Sequence, residues 1–100
     1  MSKVKHIVLL KFKDGTNEEQ IAKCFDDLLE LTENIPGIDD YVSGANMSAE
    51  SLNQGYTHAL IMTFPDAAAR DTYVSHPDHT NFVAAVMPMI ESVCVVDFEV

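Results

Sequence analysis

The segment DTYVSHPDH, Asp71 to His79, holds one of three tyrosines and two of four histidines in a 100-residue chain. Histidine exchanges a proton near neutrality, with an ordinary pKa of about 6.5, and a tyrosine hydroxyl screened from water can donate to an oxygen that gains charge. Tyr73 and His79 therefore have the parts needed to take a proton from a carbon beside a carbonyl and to hold the resulting enolate. Six residues apart, they fall on different faces of an unbroken helix, but Pro77 breaks the helix between them and leaves convergence open. Each also has a plainer reading. Tyr73 could pack its ring on a sheet with its hydroxyl in water, His79 could be an exposed helical residue, and His76, directly before Pro77, could shape the turn. The set His76, Asp78 and His79 is a rival metal reading, but His-x-x-His alone lacks further ligands, so no metal is expected.

The elements around this segment follow from hydropathy patterning. KHIVLLKFK (Lys5 to Lys13), closed by DGT, reads as a first strand. Thr16 with Glu19 three residues on has the form of a capping box. Behind it Ile21, Cys24, Phe25, Leu28, Leu29 and Thr32 recur at helical spacing to about Glu33, where NIPGI ends the helix. DDYVSGAN is a weak polar strand suited to a sheet edge, and YTHALIMTF (Tyr56 to Phe64) is the strongest strand. Pro65 and Asp66 start a second helix that SHPDH interrupts. Phe82, Val83, Val86, Met87 and Ile90 restore the helical stripe, although Pro88 should end or kink it early, and SVCVVDFEV is a last strand. The order is the ferredoxin-like βαββαβ pattern, an α+β fold with a four-stranded antiparallel sheet in the order 4-1-3-2 and both helices on one face. One hundred residues make one domain, residues 1–100.

The first strand is apolar on both faces, with Val8, Leu10 and Phe12 on one and Ile7 and Leu9 on the other. The face without helices needs its own cover, and a second copy of the sheet supplies one, giving a homodimeric α/β barrel. Net charge is −10, distributed as +4 over residues 1–13 and −14 over the remainder. Such a surface repels phosphate, so neither nucleic acid nor an anionic membrane is an expected partner. In this topology Asp97 and Glu99 should lie near Lys3 and Lys5 across the strands. Cys24 and Cys94 sit in apolar company and read as buried free thiols. No membrane-length apolar run or cleavable leader is visible, which favours a cytoplasmic location. With no GxGxxG, P-loop or serine nucleophile elbow, no cofactor is expected.

KHIVLLKFK, IPGI, GYTHALIMTF and DTYVSHPDHTNF, in this order and at this spacing, resemble the stress-responsive dimeric α/β-barrel (Dabb) domain family over essentially the whole chain. The resemblance implies a dimeric ferredoxin-like barrel. Its best-understood member closes a linear polyketide by intramolecular aldol condensation, with a tyrosine and a histidine that match Tyr73 and His79 as catalytic residues. Histidines matching His6 and His58 line or neighbour its pocket. In this chain His6 and His58 share the strand face of Val8, Leu10, Leu60 and Met62, although antiparallel neighbours can hold them at opposite ends.

Two functions fit these features. One is a pocket between helices and sheet, lined by Val8, Leu10, Phe25, Leu60, Met62, Phe82 and Val86, that takes a small, largely apolar carbonyl compound with Tyr73 and His79 at its polar end. The other is a non-catalytic, stress-responsive dimer that acts through stability or partner binding.

Overall fold

In the computed structural model, which describes residues 2–100, the central strand β1 (Val4–Phe12) lies between two antiparallel neighbours. The remaining elements are α1 (Glu18–Asn34), β2 (Asp40–Ala45), β3 (His58–Phe64), α2 (Ala67–Ser75), α3 (Pro77–Val86), a 3₁₀ turn at Met87–Met89 and β4 (Ile90–Glu99). The sheet order is β2-β3-β1-β4 with every pair antiparallel, the expected ferredoxin-like arrangement.

Local chemistry accounts for the element ends. The capping box of α1 lies one residue later than the Thr16/Glu19 pattern suggested. Asn17 accepts from the Gln20 amide at 2.8 Å, and the Gln20 side chain accepts from the Asn17 amide at 2.9 Å. Thr16 instead turns back and donates to the Lys13 carbonyl at 2.7 Å, closing the turn ahead of the helix. Gly37 follows α1 at φ +91°, a left-handed conformation that side chains resist. Asp66 caps α2 through the Ala69 amide at 2.8 Å. His76 ends α2 and caps α3, its Nδ1 accepting from the Asp78 amide at 3.1 Å, while Pro77 fills the first position of α3, where no amide is needed.

The helices cover the face that carries Val4, Leu60, Met62 and Phe64. Leu28, Leu31, Ile35 and Tyr73 close this core from above, and Phe64, Met62 and Ile35 are almost wholly buried. Burial of such side chains contributes roughly 1.5–3 kcal/mol each. Leu31 completes the buried stripe of α1, and Leu29, expected on it, is 46% exposed.

On the helix-free face, Val42, Ile61, Val96 and Phe98 are exposed, and Ile7, Leu9 and Cys94 are half-buried. Cys94 is thus less enclosed than expected, whereas Cys24 is 2% exposed; both thiols are free. The expected charge pairing of β1 with β4 is corrected by register. Lys5 stands opposite Phe98 and His6 opposite Asp97, so Asp97 turns to the helical face and Lys5 to the other. Lys5 donates instead to Thr63 at 2.9 Å, and Lys3 pairs with Asp39 at 2.7 Å. Among the described residues, no helix is long and apolar enough to cross a membrane.

Candidate functional site

A cavity of about 360 Å³ opens between the helices and the β1/β4 half of the sheet. Its wall is apolar except at one end, where His6, Tyr73, His79 and Asp97 meet. Of the side chains expected around it, Val8, Leu10, Leu60, Phe82 and Val86 lie on the wall. Phe25, His58 and Met62 do not. Met62 is 1% exposed and packed in the core. Antiparallel register places His58 opposite Leu10 and His6 opposite Met62, so the two histidines stand at opposite ends of the sheet face. His58 packs between Phe12 and Phe25, with ring centroids 5.4 Å from each, beside a separate shallow hollow under α1.

Tyr73 and His79 converge. The helix break lets α3 leave α2 at a new angle, which brings the two rings to 4.5 Å between centroids. Tyr73 is 2% exposed, and burial together with nearby Tyr41 pushes its hydroxyl well above the ordinary tyrosine value. It therefore remains a protonated donor at any pH the fold meets. The Tyr41 hydroxyl is itself buried without a hydrogen-bond partner among the described residues.

His79 donates Nδ1–H to the carbonyl of Val74 at 3.0 Å, a carbonyl in the last turn of α2 that the helix leaves free. This bond fixes the neutral tautomer and leaves Nε2 as a hydrogen-bond acceptor. Burial lowers the His79 pKa, the Val74 bond opposes the shift, and His6 adds to it. A neutral imidazole beside a protonated phenol is the donor–acceptor pair that enolisation requires.

His6 is 7% exposed, and its Nδ1 lies 2.7 Å from Asp97 Oδ1. Arg70, one turn before Tyr73 on α2, donates to Asp97 Oδ2 at 2.8 Å. Burial pushes the Asp97 carboxyl up, but the bonds from Arg70 and His6 outweigh it and hold the group below the usual carboxylate range. Sequence reasoning placed neither Asp97 nor Arg70 at the site. The one available signal was an acid inside the apolar run VCVVDFEV, in frame with Val93 and Val95. Cys24 also reaches the wall, and burial, with Asp27 adding, pushes its thiol up to about 11, which leaves it protonated. His76 and His79 turn to different partners, and no group of three or more His, Cys, Asp or Glu side chains gathers among the described residues.

Fold and cavity define the class: a ferredoxin-like α+β domain with a largely apolar pocket between helices and sheet, closed at one end by a tyrosine and two histidines. The chain belongs to the Stress responsive A/B Barrel Domain family (Dabb), whose profile it matches over residues 4–100. It is 33% identical to the stress-response A/B barrel domain-containing protein HS1 of Arabidopsis thaliana over 96 residues, covering 96% of this chain and 88% of the relative. It is 30% identical to olivetolic acid cyclase of Cannabis sativa over 95 residues, covering 95% and 94%. Among solved structures, a dimeric ferredoxin-like protein of unknown function from Jannaschia sp. CCS1 superposes with a TM-score of 0.86 at 26% identity, covering 98% of this chain and 99% of that one.

Proposed function

We propose that the protein binds a small, largely apolar carbonyl compound in this cavity and moves protons on it without a cofactor. The observation that carries the reading is the 4.5 Å approach of Tyr73 and His79 at the single polar end of an otherwise apolar cavity. His79 Nε2 takes a proton from the carbon beside the carbonyl. Tyr73 donates its hydroxyl hydrogen to the oxygen on which charge collects. Val8, Leu10, Leu60, Phe82 and Val86 hold the apolar part and exclude water. Intramolecular aldol closure, which the family resemblance implies, begins with the same two roles, and similarity to a cyclase from Cannabis sativa supports it. The working unit in this reading is a homodimer through the helix-free face, as the exposed Val42, Ile61, Val96 and Phe98 and the dimeric Jannaschia protein suggest.

The test is deuterium incorporation into phenylacetone in D2O, followed by proton NMR with and without protein. The wild type should accelerate exchange beside the carbonyl above the buffer rate. Tyr73→Phe should lower the protein-dependent rate by roughly 10²-fold, the usual scale for losing an oxyanion donor, and His79→Ala should lower it as well. A wild type that exchanges no faster than buffer refutes the reading and favours the non-catalytic alternative.

A further inference from the structure

A second imidazole faces the same cavity in a defined tautomer. A carboxylate has no proton to give, so the 2.7 Å contact of His6 Nδ1 with Asp97 is a bond that His6 donates. Its Nε2 is then the free acceptor. An orienting carboxylate behind an imidazole selects the tautomer and steadies the positive charge that the ring acquires on taking a proton. Arg70 occupies the other carboxylate oxygen at 2.8 Å, which fixes the carboxylate in turn. Strand pairing alone does not require this arrangement. At the neighbouring positions of the same register, Val8 faces Val95 and Leu10 faces Val93, and an apolar pair in place of His6 and Asp97 would join β1 to β4 without desolvating a charge.

We infer that His6 is a second proton acceptor of this cavity, positioned by Asp97, which Arg70 positions in turn. The inference rests on the proton-transfer reading above and deepens it. In the step, His6 Nε2 accepts a proton from the carbon beside the carbonyl. The C–H bond breaks, and its electron pair passes to the oxygen as an enolate held by the Tyr73 hydroxyl. Asp97 faces the imidazolium. Return of a proton, or of a deuteron after exchange with solvent, to the carbon restores the ketone and neutral His6. Tyr73 lies 4.5 Å from His79 and 6.2 Å from His6 between ring centroids, so one donor serves two acceptors. That arrangement suits a ketone carrying hydrogens on both flanking carbons rather than an aldehyde or an ester.

Phenylacetone reports both flanking carbons, because its methylene and methyl protons resolve by NMR. Asp97→Asn keeps the shape of the side chain but places an amide N–H against His6 Nδ1, which turns Nε2 from acceptor to donor. The expected result is a kcat for exchange at one of the two flanking carbons reduced by roughly 10²-fold, with the KM for phenylacetone unchanged and exchange at the other carbon retained through His79, a split that loosened packing would not produce. His79→Ala should retain exchange above buffer, and the His79→Ala, Asp97→Asn double variant should return to the buffer rate. If Asp97→Asn does not fold, His6→Gln should give the same loss. Wild-type kcat at both carbons in Asp97→Asn or His6→Gln, or a buffer rate in His79→Ala alone, overturns the inference while leaving the proton-transfer reading intact. A wild type without exchange removes that reading first, and this inference with it.

Discussion

His79 is where chemistry and stability meet in a single side chain. Its pKa is held below the ordinary value because burial disfavours the charged ring. As pH falls, the unfolded chain therefore takes up this proton before the folded one does. The stability that comes from burying a neutral His79 is complete above about pH 6.5 and declines as pH drops from there toward the lower folded-state value. Asp97 is also held low, so its contribution persists through that window and is lost only as pH falls below its ordinary value of 3.8. Urea unfolding at pH 7.5 and pH 5.5 should show a larger loss for the wild type than for His79→Gln, in which the upper step is absent. Equal losses would mean that His79 is solvated as freely in the folded state as in the unfolded one. Tyr73 is a separate matter. Its ring packs on Phe64 and His6, and Tyr73→Phe keeps that ring, so the variant should stay within about 1 kcal/mol of wild-type stability while losing exchange activity.

The break between α2 and α3 is the element-level device that makes the site. With Pro77 at the start of α3 and His76 capping it, two short helices replace one long one, and residues that a continuous helix would separate become neighbours. Pro77→Ala restores an amide hydrogen and permits helical backbone at His76. The expected result is partial fusion of the helices, with the Tyr73 ring-current shift on the His79 ring protons diminished in the NMR spectrum. An unchanged shift would show that the caps hold the break without proline. The caps should each matter on the usual scale: Asn17→Ala or Asp66→Ala should cost about 1 kcal/mol, seen as a lowered Tm. This break was legible in the sequence because Pro77 acts locally. The shift of the first capping box from Thr16 to Asn17 was not, because the sequence offers oxygen-bearing side chains at both positions and only the path of the incoming chain selects between them.

At the scale of the whole molecule, the sheet has one face under helices and one that carries Val42, Ile61, Val96 and Phe98 into solvent. Contiguous exposed apolar surface of this kind is unusual for a chain that works alone. Sedimentation equilibrium of the wild type should therefore give twice the chain mass of 11.1 kDa. Ile61→Asp should shift it to the single-chain mass and lower Tm, since a buried unpaired carboxylate opposes the contact. Wild-type protein sedimenting at 11.1 kDa would remove the dimer from the reading.

Strand and helix periods, Pro77, Asp66 and the apolar runs of β1 and β3 determined the βαββαβ order, the sheet topology and the position of the helix break, because each is set by neighbours close along the chain. The face shared by His6, Val8 and Leu10 was also legible, since side chains alternate strictly along a strand. What alternation cannot supply is depth along that face. Whether His6 or His58 reaches the polar end depends on the antiparallel register of β1 with β3, which sets His58 against Leu10. Register between β1 and β4 likewise decided that Asp97 meets His6 rather than a lysine, and the docking of α2 brought Arg70 to the same carboxylate. These contacts join residues 27 to 91 positions apart, and packing of the whole sheet and its helices selected them.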